Sequence, residues 1–341
     1  ETGSVELLKN AGVGERIITD GIKHDGFLIS SENESFRIDL SAATGKSVYV
    51  YGQTEVTIDL YKAQDKMKAN IFHCVKDVNL SDLNYTKSKV QFNCSKENYE
   101  ITCDYIAGCD GSMGISKNYI PKKIKKSHII NYPFSWLGIL SNTKPVNDEL
   151  IYASHERGFA LASMRNENLS RYYIQTPHTD KIEHWPDELF WDELCIRLPK
   201  PYCRTLERGK SIEKSVTKLR SLILEPMQWK NLFLAGDAAH IMPPTGAKGL
   251  NLAFSDIFYL SQGFISYYKK GSSTKLNNYS KIALKRVWKT VGFSKWMTSI
   301  LHNSNENSLI ERDLNKLELA ELKKSEKAQK LVAEQYVGVA Y

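Results

Sequence analysis

Apolar and polar positions fall into three textures along this chain. In the first quarter SVYVY (47–51) alternates as a strand does, Gly52-Gln53 breaks it, and Thr54 caps a predicted helix with Val56, Leu60, Ala63 and Met67 on one face. ITCDYIAGCD (101–110) is a further apolar-rich strand, followed by the lysine loop PKKIKKSH (121–128). From about 129 to 224 the pattern shortens to strands and turns, which predicts an antiparallel sheet. LFLA (232–235) returns to α/β grammar as a buried strand. Beyond about residue 275 the chain reads as helices rich in Lys, Glu, Leu and Trp, and the alternating charges of LELAELKKSEKAQKLVAEQ predict a solvated amphipathic helix. The fold class is therefore mixed α/β (α+β): 1–126, an inserted sheet at 127–224, a return at 225–275, and a helical region at 276–341.

Composition narrows this picture only slightly. With 42% hydrophobic and 25% charged residues the chain can bury a sizeable core. No run approaches eighteen apolar residues, and ETGSVELLKN has neither the basic start nor the apolar stretch of a secretion signal, so a cytoplasmic protein without membrane contact is expected. Cys74, Cys94, Cys103, Cys109, Cys195 and Cys203 form no CxxC pair and are expected as reduced core thiols. The eight histidines lack metal-site spacing. The net charge of +7 is interleaved except at PKKIKKSH, and no basic face with aromatic interleaving points to nucleic acid.

The chemistry concentrates in LFLAGDAAHIMPPTGAKGLNLAFSDIFYL (232–260). A strand ending at Gly236 projects Asp237 from its carboxyl end, where open α/β sheets bind ligands and a carboxylate suits a hydroxyl partner. Pro243-Pro244 stiffens the connection, Gly246 and Gly249 permit close backbone approach, and a helix beginning near Leu250-Asn251 offers free N–H groups to negative charge. A reduced flavin with its ribityl chain satisfies both ends; a cap or tight turn is the plainer alternative.

A second constellation lies in FALASMRNENLSRYYIQT. A hairpin loop centred on Asn168 puts Ser163 opposite Tyr173 and Arg165 opposite Arg171, all four on one face, and facing arginines call for an anion or an acidic partner. A turn at HERG (155–158) sets Tyr152 opposite Leu161, with its phenol on the same side.

GDAAHIMPPTGAKGLNLA resembles the second flavin-binding motif of the aromatic-ring flavoprotein monooxygenases. The resemblance continues through VYGQTEVT, DYIAGCDG, SWLGIL, ELIYASHERGFALAS, SRYYIQTP, FSKWMTSILH and YVG, nearly the whole chain. It implies FAD as cofactor, NADPH or NADH as co-substrate, and hydroxylation of 4-hydroxybenzoate to 3,4-dihydroxybenzoate by O2 through a flavin hydroperoxide. A relative acting on 4-aminobenzoate is the neighbouring possibility. On this resemblance Ser163, Arg165 and Tyr173 hold the substrate carboxylate, Tyr152 bonds the phenol oxygen, Tyr336 continues the proton path and His24 ends it. The Pro244 carbonyl faces the substrate hydroxyl. Flavin falls to Gln53, Asp110, Asp237 and the Leu250-Asn251 backbone, with Arg171 near the ring and Arg220 on the nicotinamide nucleotide. Trp136 reads as a core aromatic. A homodimer is implied, with WKTVGFSKWMTSIL suited to the contact.

The same resemblance makes 1–126 and 225–275 an incomplete Rossmann-like FAD-binding domain, because no strand–GxGxxG–helix unit or arginine-bearing exit loop is found. The expectation is a piece of a longer chain with exposed apolar surface; a non-catalytic, ligand-binding remnant is the alternative. Ser112 and Met113 stand where the family often has an aromatic residue and a nucleotide-binding histidine, which leaves NADPH and NADH both open.

Overall fold

The computed structural model describes residues 1–31, 34–303, 309–338 and 341. Two compact units emerge, one of residues 1–59, 131–219 and 293–340, the other of 60–130, 220–292 and 341. Among the described residues no helix is long and apolar enough to cross a membrane.

The first unit is built on a mixed sheet in which Lys126–Ser141, Leu169–Thr176, Ala160–Asn166, Ile151–Ser154, Gly26–Ser31 and Glu34–Asp39 are successive neighbours. The expected antiparallel pattern holds except where Ile151–Ser154 runs parallel to Gly26–Ser31. Strand period two sorts the side chains. Leu137, Ile139, Ile151, Ala153, Ala160, Ala162, Tyr172 and Ile174 pack on one side with Phe190, Trp191 and Leu194 of the helix Asp187–Arg197. Phe27, Ile29, Trp136, Tyr152, Phe159 and Leu161 pack with Met297, Ile300 and the helix Glu326–Val337. That second face carries Tyr152 and, partly buried against it, Tyr173.

The helices Asp187–Arg197 and Lys200–Thr205 interrupt a region expected to hold only strands and turns. Cys195 and Cys203 are joined by a disulfide between them, against the expectation of reduced thiols there. The other four cysteines are free but exposed or half-buried, so none is a core thiol.

In the second unit Leu232–Leu234 runs parallel to Ile106–Gly108 and antiparallel to Gln228–Trp229. Leu232, Phe233 and Leu234 are fully buried, as a strand ending in Gly236 predicts. The apolar run 101–110 is two strands, Glu97–Cys103 and Ile106–Gly108, because Asp104 leaves the ladder to pair with Lys87. Ile106–Gly108 stands at the edge of its three-stranded sheet. The lysine loop is shorter than expected, since Lys126 to His128 already belong to the strand Lys126–Ser141.

The helix after SVYVY starts at Gln53, so Thr54 lies within it rather than capping it. Of its predicted apolar face Val56 is buried, while Leu60 and Met67 are exposed. Ion pairs replace the missing apolar contact: Arg16 reaches Glu55 and Asp59 at 2.6 Å each.

Candidate functional site

In the first unit the turn at 155–158 sets Tyr152 opposite Leu161, as the sequence predicts. The next hairpin differs by two residues. Its loop closes at Glu167-Asn168, so Ser163 faces Arg171 and Tyr173 faces Leu161, with a bulge between Met164 and Asn166. A two-residue slip preserves side-chain parity. Tyr152, Leu161, Tyr173 and Gly138 therefore form one row across four strands, while Arg165, in the bulge, is not paired with Arg171.

The two arginines are held differently. Arg171 donates to Glu213 at 2.8 Å and to the Tyr173 hydroxyl at 3.0 Å, and its guanidinium lies 5.0 Å over the Tyr173 ring. Burial opposes its charge, but Tyr173 and Glu213 outweigh that and raise its pKa. Burial pushes the Arg165 pKa down, only partly offset by the neighbouring Tyr173 phenol. Arg165 also donates to the Met164 carbonyl, and no described carboxylate pairs with it. The acidic partner demanded by two nearby cations is thus Glu213, and it serves Arg171. Arg165 is solvent-accessible yet crowded by protein, a cation set to receive an anion. Ser163 donates to the Arg171 carbonyl at 2.7 Å, leaving its oxygen as an acceptor.

Tyr152 and Tyr336, both buried, share a 2.9 Å hydroxyl–hydroxyl hydrogen bond. Tyr336 sits on the inner face of Glu326–Val337, a helix capped by the Ser325 hydroxyl. Phe27 stacks on Tyr336 at 4.2 Å and meets Tyr152 edge-on at 5.5 Å. Burial and the neighbouring Tyr152 raise the Tyr336 pKa well above the usual phenol value. His24 is buried in the strand Ile22–His24. Burial lowers its pKa, with Glu149, Asp148 and Asp25 pulling back, and neither ring nitrogen has a described partner. No hydrogen bond joins His24 to the tyrosine pair.

Trp136 is a core aromatic with a specific partner that the sequence did not reveal: its indole N–H donates to His302 Nε2 at 2.7 Å, and His302 Nδ1 bonds the Thr298 carbonyl at 2.8 Å. The ring is neutral, its pKa pushed by burial down to about 3. An unfolded histidine takes up its proton first, near pH 6.5. Stability from this group is therefore complete above that value and is lost as pH falls toward 3. Between pH 6.5 and pH 5 the loss is expected to reach about 2 kcal/mol. Denaturant unfolding at the two pH values checks this, and His302→Gln should flatten that part of the slope; an undiminished slope would assign it to other groups.

In the second unit the two parallel strands end together, Leu234 beside Gly108. Asp110 and Asp237 follow those ends and both are exposed. Asp110 accepts from the Ser116 backbone at 2.8 Å and hydroxyl at 2.9 Å through Oδ2 alone. The connection after Asp237 turns tightly, with Gly246 at φ 80° and the Pro244 carbonyl accepting from Ala247 N–H at 2.9 Å. The helix Gly249–Lys270 then starts without a side-chain cap. A Cβ on Gly249 would meet no atom within 4 Å, so the protein's own packing does not require glycine there. A ligand against the helix start would. Carboxylates for hydroxyls, uncapped N–H groups for negative charge, and open space at Gly249 together fit a flavin nucleotide.

Residues 1–294 match the family described as FAD binding domain. Over 342 residues the chain is 48% identical to the p-hydroxybenzoate hydroxylase of Acinetobacter baylyi, covering 100% of this chain and 84% of that protein. The chain belongs to the FAD-dependent aromatic hydroxylases. Its cofactor is FAD and its co-substrate a reduced nicotinamide nucleotide. Two solved structures share the fold at 15% identity each. The p-nitrophenol 4-monooxygenase of Pseudomonas putida has a TM-score of 0.82 over 99% of this chain and 87% of its own. A P. aeruginosa protein solved in complex with 2-aminobenzoylacetate has 0.75 over 87% and 83%.

In this hydroxylase the turn bearing Asp237 rests on a pair that sequence reasoning passed over. Asp256, fully buried, accepts from Gly236 N–H at 2.9 Å and lies 2.6 Å from His240 Nε2. Gly236 adopts φ 62°, open to glycine at little cost. A lone acid inside the apolar helical run LAFSDIFYL was the available signal, since a buried carboxylate needs a partner. Of the remaining candidates, Gln53 is exposed at its helix start and Arg220 is exposed on Ser211–Glu225.

Proposed function

We propose that this chain hydroxylates 4-hydroxybenzoate ortho to its phenol, giving 3,4-dihydroxybenzoate, with NADPH or NADH and O2. One observation carries the reading: Arg165, with no described carboxylate partner, lies in the bulge of a strand whose Leu161 stands in one row with Tyr173 and Tyr152, and Tyr152 shares a buried hydroxyl pair with Tyr336. Tyr152 and Tyr173 stand two strands apart, roughly 10 Å, which leaves room for a single aromatic ring between an anion grip and a phenol contact. A para-hydroxy acid presents those two groups at opposite ends.

Arg165, Tyr173 and Ser163 hold the carboxylate and fix the ring's orientation. Tyr152 accepts the hydrogen bond of the substrate phenol and donates its own to Tyr336, so the substrate proton can leave along that pair and a more nucleophilic phenolate forms. The high pKa of Tyr336 suits it to pass the proton on rather than to hold a charge. His24 ends the path. Asp237, Asp110 and the Gly249–Asn251 backbone would hold FAD, with Gln53 and Arg171 as further candidates for it, Pro244 as a candidate for the substrate hydroxyl and Arg220 for the nicotinamide nucleotide. FAD, when bound, takes the reducing equivalents and supplies activated oxygen. The active form is proposed to be a homodimer, with exposed Leu309, Ile310, Leu314 and Leu317 on the helix Leu309–Lys324 in support.

The test is product stoichiometry. Wild-type protein should form 3,4-dihydroxybenzoate in step with nicotinamide oxidation. Tyr152→Phe should still bind the substrate and consume reductant, but hydroxylate on the order of 100-fold more slowly. Full coupled hydroxylation by that variant would remove Tyr152 from the proton path.

A further inference from the structure

Gly138 lies in Lys126–Ser141 directly across from Tyr173. Its φ is not left-handed, so conformational freedom does not explain the glycine. Space does. A Cβ built there would stand 2.6 Å from both Cδ1 and Cε1 of Tyr173 and 3.5 Å from an Arg171 guanidinium nitrogen. The Tyr173 ring lies across the bare backbone of its cross-strand neighbour, and glycine is what lets it lie that low.

The surroundings leave the ring little alternative. Trp136, two residues earlier on the same strand and pinned by His302, contacts Tyr173 at 5.1 Å. Arg171 covers the ring and holds its hydroxyl at 3.0 Å. Arg165 is near enough for the Tyr173 phenol to favour its charge. The height of one ring above one glycine therefore sets where the phenol oxygen meets the Arg171 guanidinium, beside Arg165.

We infer that Gly138 is a specificity-determining position for aromatic carboxylates, acting through Tyr173: the absence of a side chain sets the geometry of the arginine–tyrosine grip. The inference rests on the substrate reading above. A methyl group at 138 lifts the Tyr173 ring, breaks its alignment with Arg171 and moves its hydroxyl into the space of the carboxylate. A ligand without a carboxylate does not feel this.

The experiment uses the full chain loaded with FAD and compares wild type, Gly138→Ala, Tyr173→Ala and the double variant, with 4-hydroxybenzoate and phenol as ligands. Gly138→Ala should raise the Kd and KM for 4-hydroxybenzoate about tenfold, the scale of one lost hydrogen bond, and leave phenol binding within about twofold. In the Tyr173→Ala background Gly138→Ala should change nothing, since no ring remains to be lifted. Equal weakening of both ligands, or the same penalty in both backgrounds, would make the effect a general disturbance of the sheet and overturn the inference. If Gly138→Ala alone does not fold, recovery of folding in the double variant supports the overlap and failure of both counts against it. A wild type that binds 4-hydroxybenzoate while Gly138→Ala binds it equally well overturns the role of Gly138 alone; a wild type with no affinity for 4-hydroxybenzoate overturns the substrate reading as well.

Discussion

Arg165→Met should weaken 4-hydroxybenzoate binding about 100-fold while leaving FAD binding unchanged. The size follows from the loss of a charge-assisted, two-pronged contact in a partly desolvated place, where hydrogen bonds to charged groups are worth about 1.5–3 kcal/mol. The effect should be confined to ligands that carry a carboxylate. Folding stability should not fall, because burial already disfavours the Arg165 charge and no described carboxylate depends on it. Arg171 makes the useful contrast: its charge is engaged by Glu213, so Arg171→Met should disturb that pair and the position of Tyr173. Titration of each FAD-loaded variant with 4-hydroxybenzoate, followed by flavin absorbance, separates the two. Wild-type affinity in Arg165→Met would mean that the carboxylate is held elsewhere.

Asp256→Ala should cost about 3 kcal/mol of stability, because it strands groups that have no other partner in a dry interior. The pair it breaks is almost completely shielded, His240 at 1% and Asp256 at 0% exposure. Gly236 N–H would lose its acceptor, and His240 Nδ1 already lacks a described partner. FAD affinity should fall with stability, since the turn that carries Asp237 is anchored by that bond. Asp237→Ala, exposed and outside the pair, should lower FAD affinity without the loss of stability. Denaturant unfolding and flavin fluorescence measured on both variants check this. Equal stability of Asp256→Ala and wild type would show that the buried pair does not anchor the turn.

Much of this arrangement was legible from local signals. A short buried strand ending in Gly-Asp, two prolines and a helix start were readable at 232–251, because strand burial, turn chemistry and helix initiation each depend on a few neighbouring residues. Tyr152 was placed opposite Leu161 from the HERG turn alone. The next hairpin was misjudged by two residues because its loop is the two-residue Glu167-Asn168 turn with a bulge at Arg165, and nothing in NENLS distinguishes that from a centred loop. The face assignment survived for Ser163, Arg171 and Tyr173, since only odd slips exchange faces, while Arg165 falls in the bulge and has no described cross-strand partner.

Other features depend on contacts that sequence spacing does not express. The parallel pairing of Gly26–Ser31 with Ile151–Ser154 joins segments more than a hundred residues apart. The helix from Gln53 has apolar spacing, yet Arg16 and its two carboxylates hold it in place of a buried stripe. The helix Asp187–Arg197 was detectable: Pro186 precedes it, and Asp187 and Glu188 occupy its first turn. Gly138 was invisible as anything but a glycine in a strand, because its meaning lies in the ring across from it.

The most direct test is to titrate the 341-residue chain with FAD, follow the visible spectrum of bound flavin, and then add 4-hydroxybenzoate. Bound flavin whose spectrum shifts again with the aromatic acid, and shifts much less in Arg165→Met, is the expected result. A folded chain that binds no FAD, or binds it with a spectrum indifferent to 4-hydroxybenzoate, would contradict it.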